Sequence, residues 1–300
     1  MNPLAPALAL ILAAAAPVTP VDDTTPIDCG SCPGWNAAQA PFQIHGNTWY
    51  VGPRGLSAIL IDSGAGLVLV DGALPQSAPA IERNIQTLGF DIRDVRWILV
   101  SHEHFDHAGG IAALARMSGA RVAASPAAAA ALRRGNVRAD DPQAGFGNSM
   151  RFPPVPQVVE VADGGTVTLG GLVVTAVHSP GHTPGGSSWH WHSCRDTGCA
   201  TVVYADSLTA VSAPDYRYSD HPELLSALRA TIERIAALDC DVLIATHPES
   251  VRLWERRELA EAGEGTTAYV DAGACGTYAQ AARAALERRL ARERTAPGPR

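Results

Sequence analysis

The sequence predicts an α/β fold in which two β-sheets pack face to face, helices cover the outer faces, and a site lies at the rim the sheets share. Three observations carry this. The chain has 300 residues, 46% hydrophobic and 18% charged, enough to bury one large core or two ordinary ones. Short strand-like runs alternate with stretches of helical spacing along its length. The two halves also follow one plan: a strand ending at Asp71, a helix, then Asp-Val and an apolar strand ending Ser101-His102 correspond to a strand ending at Asp206, a helix, Asp-Val and a strand ending Thr246-His247. Such halves bring His102 and His247 to one edge.

Taken in order, residues 4–16 form an apolar run ending in Ala13, Ala14, Ala15 and Ala16, the pattern of a secretory signal cut after Ala15. The run is shorter than the ~20 residues a membrane span needs. The expected division is a signal at 1–15, an N-terminal leader or loop at 16–40 and one domain at 41–300, with a periplasmic product. Strands are expected at 48–51, 57–62 and 66–71, separated by Gly-rich turns, and helical spacing follows at 78–88. A buried strand at 95–100 leads into Ser101-His102-Glu103-His104-Phe105-Asp106-His107, with a helix over 110–117, a strand at 122–124 and an Ala-rich helix at 126–132. A meander covers 158–161, 166–169 and 172–177, and 187–191 with 200–205 frame a hairpin. Asp220 and Glu223 have capping-box spacing before a helix running to about 238; a strand at 242–245 and a helix at 278–292 complete the chain.

Charge and cysteine usage narrow the function. The net charge of -7 gives no electrostatic reason to expect nucleic acid or anionic lipid as a partner. All 23 basic residues are arginine, and the absence of lysine excludes Walker-type phosphate loops, Schiff-base catalysis and the Ser-x-x-Lys acylation site. The even count of six cysteines agrees with an oxidising compartment. Cys194 and Cys199 flank a turn sequence, Cys29 and Cys32 close a small loop, and Cys240 and Cys275 pair by elimination.

The segment 102–107 places four metal-ligand side chains within six residues. In extended chain His102, His104 and Asp106 share a face, and Ala108-Gly109-Gly110 permits a turn that aims Asp106 and His107 at a second cation. Further ligands must come from elsewhere: His182, in a Pro/Gly loop, and His247, at a strand tip, are the candidates. Asp71 reads as an acceptor orienting a ligand histidine or the metal loop. Glu103 should face the other way, as a supporting or surface group, and His45, His178, His190, His192 and His221 lack partners at ligand spacing.

These motifs, with Pro180-Gly-His-Thr-Pro-Gly185, Tyr204-Ala-Asp-Ser207-Leu and His247-Pro248 in this order, resemble the metallo-β-lactamase superfamily, and within it the third subclass of class B β-lactamases, which has no cysteine ligand. The resemblance implies a four-layer αββα sandwich with the metal site at the shared sheet edge, and two zinc ions per chain. One zinc would be held by His102, His104 and His182, the other by Asp106, His107 and His247. It implies a hydrolase whose metal-bridging hydroxide, oriented by Asp106, attacks the lactam carbonyl of a β-lactam antibiotic. Ser207 and Thr209 would meet the substrate carboxylate, and Trp35, Phe105, Phe146 and Met150 are candidate groove walls. In related lactonases and glyoxalases an aspartate at this strand end bridges two metals, which leaves two roles open for Asp206. A secreted hydrolase of a lactone or other ester is the first alternative, and a non-catalytic zinc-binding protein the second. Six candidate ligands speak against the latter, since four satisfy a structural zinc.

Overall fold

The computed structural model describes residues 21–195 and 198–295; the expected signal and the hairpin tip at 196–197 lie outside the described residues. One sheet runs in chain order through β1 (Phe42–His45), β2 (Thr48–Tyr50), β3 (Ile59–Asp62), β4 (Leu67–Val70), β5 (Val95–Leu99), β6 (Arg121–Ala124) and β7 (Val158–Glu160). Its first four strands are antiparallel neighbours, and β4 through β7 are parallel. The other contains β8 (Thr166–Leu169), β9 (Leu172–His178), β10 (Ser187–Arg195), β11 (Gly198–Ala205) and β12 (Val242–Ala245), ordered 12-11-10-9-8.

The strand period of two explains the layering. In β4, Val68 and Val70 point between the sheets while Leu67 and Leu69 point to the outer layer, and in β11 Val202 and Tyr204 face inward while Val203 and Ala205 face outward. The helices are α1 (Cys32–Trp35), α2 (Ala78–Thr87), α3 (Phe105–Ala108), α4 (Ile111–Ser118), α5 (Pro126–Arg134), α6 (Pro222–Ala236), α7 (Leu253–Leu259) and α8 (Ala274–Thr295). Buried side chains of α2, α4 and α5 cover the first sheet, and those of α6 and α8 the second. The result is the expected αββα sandwich.

Trp189 lies fully buried between the sheets, with Nε1 donating to the Val100 carbonyl at 3.1 Å. Trp189→Ala is expected to cost about 3–5 kcal/mol, read from the denaturant midpoint; an unchanged midpoint would place the inter-sheet contact elsewhere.

Three expectations need correction. The segment read as leader is packed against the domain: Cys32 and Trp35 join the first core, and the backbone of Ile27 pairs with the Gln76 amide at 3.1 and 2.7 Å. Asp220 does not cap α6, whose N-cap is His221 without a side-chain bond; Asp220 instead faces Arg217 at 3.5 Å. The last helix starts earlier, at Ala274, because Cys275 is anchored to Cys240 and its first turn is buried. The other two expected disulfides, Cys29–Cys32 and Cys194–Cys199, are also formed. No helix among the described residues is long and apolar enough to cross a membrane.

Candidate metal centre

The site is built where β4 and β5 end. Asp71 follows β4 in a left-handed conformation (φ 62°), and its carboxylate accepts the Ser101 N–H at 2.7 Å, the Ser101 hydroxyl at 2.6 Å and the Tyr204 hydroxyl at 2.7 Å. It thereby fixes the start of the metal-binding segment, and its Oδ2 lies 3.7 Å from His107 Nδ1. The chain turns sooner than its glycines suggest, since α3 already begins at Phe105 and carries Asp106 and His107 in its first turn. Gly110 serves close approach instead: a Cβ there would stand 2.2 Å from the Gly72 carbonyl oxygen.

The six expected ligands converge in two groups. Donor atoms of His102, His104 and His182 lie within 4.8 Å of one another. In the second group, His107 Nε2 is 3.3 Å from Asp106 Oδ2 and 3.3 Å from His247 Nε2, and His247 Nε2 is 3.5 Å from Asp106 Oδ2. Ligands about 2.0–2.1 Å from a tetrahedral zinc stand about 3.3 Å apart, so this spacing fits one cation.

The chemistry of the donors fits as well. His102 Nδ1 is bonded to Asp206 Oδ1 at 2.7 Å, which leaves its buried Nε2 without a hydrogen-bond partner among the described residues. Such an orphan is costly unless a cation takes its lone pair. Burial, reinforced by the neighbouring histidines, holds the pKa of His102 well below the ordinary value, and burial with His104 nearby lowers His182 to about 3. These imidazoles are therefore neutral, with one ring nitrogen each able to bind a cation. Burial by itself would raise the Asp106 pKa, but the adjoining His107 and His247 hold it well below the carboxylate range, so it is ionised.

Supporting groups fix several of the rings from behind. Besides its bond to His102, Asp206 receives its setting from Tyr278, whose hydroxyl donates to the Asp206 carbonyl at 3.1 Å. His182 Nδ1 lies 2.9 Å from the Thr209 carbonyl oxygen and 3.0 Å from its hydroxyl. Ser207 pairs with Thr246 at 2.7 Å. Glu103 is fully buried, not at the surface: it accepts the Thr183 hydroxyl at 3.0 Å and the Gly185 N–H at 3.2 Å, tying the His102–His107 segment to the His182 loop. Burial, with the Asp141 charge, raises its pKa to about 7. Composition gave no sign of Asp141 or Gln143, which reach His104 at 3.2 Å and 3.3 Å; each stands in a loop whose path only the tertiary fold sets.

Beside the ligands lies a groove of about 520 Å³ whose lining includes Trp35, Phe105, Phe146 and Met150. Trp35 stands 5.5 Å from the His247 ring and 6.4 Å from Phe105. Phe146 is 42% exposed whereas Met150 is buried, so the former can meet a ligand and the latter forms backing.

Comparison with known proteins agrees with this fold. Rm3 metallo-beta-lactamase is 49% identical, the match covering 89% of this chain and 99% of that one, with a TM-score of 0.86. MEM-A1, described as a subclass B3 metallo-beta-lactamase isolated from a soil metagenome library, is 47% identical over 87% of this chain and 99% of its own, with a TM-score of 0.84. A hydroxyacylglutathione hydrolase of Anaeromyxobacter dehalogenans is 33% identical over 46% of this chain, and the match spans less than half of that relative, 43% of its length. The metallo-beta-lactamase superfamily matches residues 51–247, from just after β2 to the last histidine of the cluster. With that match and this site, the chain belongs to the metallo-β-lactamase superfamily.

Proposed function

We propose that the protein is a zinc-dependent β-lactamase that hydrolyses the amide bond of β-lactam antibiotics, with two zinc ions per chain, one on His102, His104 and His182 and one on Asp106, His107 and His247. The observation that carries the reading is the side of His102 on which Asp206 lies. Its Oδ1 bonds His102 Nδ1 at 2.7 Å, behind the ring, so it is not an acid shared between the two donor groups. That separates the site from hydrolases that bridge two metals with an aspartate at this position. The likeness to Rm3 and MEM-A1 over 99% of their lengths supports the same reading.

Bound zinc would supply a hydroxide near neutral pH and polarise the lactam carbonyl. The protein's own part is orientation. The ionised Asp106 carboxylate accepts a hydrogen bond from the attacking oxygen and sets its direction. Trp35 and Phe105 form an apolar wall that holds the lactam against the site. Asp206, Thr209 and Asp141 fix the rings of His102, His182 and His104.

The substrate carboxylate has no lysine to meet. With its Nε2 turned to a cation, His182 carries its proton on Nδ1 and donates it to Thr209, which leaves the Thr209 O–H free to donate outward; Ser207 stands two residues earlier. Hydrogen bonds to a charged group contribute roughly 1.5–3 kcal/mol, so Ser207→Ala with Thr209→Ala is expected to lower kcat/KM about tenfold to a hundredfold. Kinetics and zinc content are measured together. Unchanged kinetics would assign the carboxylate to an arginine, and loss of a zinc would make this strand end a ligand.

The central test is hydrolysis of a penicillin, a cephalosporin and a carbapenem by zinc-loaded protein, beside a homoserine lactone and a glutathione thioester. Turnover of the β-lactams is expected. Preference for the lactone or thioester by an order of magnitude in kcat/KM would replace the reading. We also propose export to the periplasm, which the apolar run at 4–16 supports.

A further inference from the structure

The loop between β11 and α6, residues 206–221, carries Asp206 behind His102 and Thr209 behind His182. A loop of this length with little secondary structure needs partners for its backbone groups. Most of those supplied from outside the loop come from one helix. Near its start, α8 presents Tyr278, whose hydroxyl donates to the Asp206 carbonyl and lies 3.4 Å from the Leu208 N–H. Three turns on, Arg289 donates from Nη2 to the Ser212 hydroxyl and the Tyr216 carbonyl, both at 2.8 Å. One turn further, Glu293 accepts two successive N–H groups, Tyr218 at 3.0 Å and Ser219 at 2.9 Å. Arg289 Nε also donates to Glu293 at 2.6 Å, so the two side chains form one unit.

Glu293 is only 5% exposed, an unusual place for a carboxylate in the last turn of a C-terminal helix. Burial opposes its charge, but Arg289 and the two N–H groups hold its pKa below the ordinary glutamate range. The loop leaves this clamp in two directions toward the site. The Tyr218 hydroxyl donates to the Gly181 carbonyl, next to His182, at 3.1 Å. Ala213 N–H donates to the Pro142 carbonyl at 2.9 Å, beside the Asp141 and Gln143 that reach His104.

We infer that Arg289 and Glu293 are a positioning pair that sets the 206–221 loop so that Ser207 and Thr209 meet the substrate carboxylate. The inference rests on the β-lactamase reading. Neither residue touches the metal ligands, and Arg289 Nη1 reaches the Ala210 carbonyl, next to Thr209, at 3.5 Å, so the pair bears on how substrate is held more than on how metal is held. Displacing a binding group by a fraction of its hydrogen-bond length weakens binding without removing the chemistry.

The test uses zinc-loaded enzyme carrying Glu293→Gln, in which one of the two N–H groups faces an amide NH2, and separately Arg289→Lys, which keeps the charge beside Glu293 but loses the fork to Ser212 and Tyr216. A cephalosporin and its carboxylate methyl ester are the paired substrates. The expected result is KM for the acid raised roughly tenfold, kcat within about twofold, zinc content unchanged, and a smaller acid-to-ester ratio of kcat/KM. Arg289→Lys should show the same pattern at reduced size, and it keeps the test decisive where Glu293→Gln does not fold. An unchanged acid-to-ester ratio in folded variants overturns the inference. So does a joint fall of kcat, zinc content and Tm, the pattern of general loosening. No β-lactam turnover by the unaltered protein would instead refute the underlying reading.

Discussion

Dialysis against a chelator is expected to abolish β-lactam hydrolysis, and returning zinc to restore it up to two equivalents per chain. The expected fall is on the order of 10³-fold, because the several kcal/mol of charge stabilisation that a metal supplies at the carbonyl disappears with it. Stability should fall too. Without a cation, the buried Nε2 of His102 has no partner, and the close grouping of Asp106, His107 and His247 is held by nothing else at its centre. Metal analysis, activity and Tm on one sample check this; activity persisting at zero metal would overturn it, and saturation at one zinc would remove His107 or His247 from the ligand set. The metal-free protein should also be acid-sensitive. His182 has a pKa of about 3 when folded against an ordinary 6.5, and His102 is shifted the same way. The unfolded chain thus binds protons that the folded one does not, so stability drops as pH falls from about 6.5 toward the folded values.

Much of this was legible in the sequence, for physical reasons. Ligand spacing within 102–107 is local, and a histidine at a strand tip or in a Pro/Gly loop announces itself by its neighbours. The layering was legible because runs such as 67–70 and 202–205 are apolar on both faces, which requires cover on both sides. The bridge from Cys240 to Cys275 emerged by elimination. The supporting partners were another matter. Asp141 reaches His104 across 37 residues and Asp206 reaches His102 across 104, contacts that depend on loop paths no periodicity encodes. Alternation sends Glu103 away from its neighbours, and of the two roles this leaves open, supporting or surface, the contact with Thr183 and Gly185 is the supporting one. The clamp at the end of α8 is hidden for another reason: Arg289 and Glu293 sit at i, i+4 in an arginine-studded helix, where such pairs commonly lie exposed.

Asp106→Asn is expected to reduce kcat on the order of 10²–10⁴-fold, the range removed with a positioned acid–base group. The substitution keeps size and one oxygen but removes the charge that stands 3.3 Å from His107 Nε2 and 3.5 Å from His247 Nε2. Zinc content at saturation tells the two roles of the carboxylate apart: two zincs with low kcat means lost orientation of the attacking oxygen, and one zinc means lost coordination. Near-normal turnover would reject both. The effect should exceed that of removing Ser207 and Thr209, because each neighbouring acid is already bonded to a ring or a loop. Asp71 is committed to Ser101 and Tyr204, Asp206 to His102, Glu103 to Thr183 and Gly185, and Asp141 to His104 and the Gln143 N–H. Each of those four carboxylates holds a ring or a loop in place, whereas Asp106 is the one that lies between the two histidines of the second group.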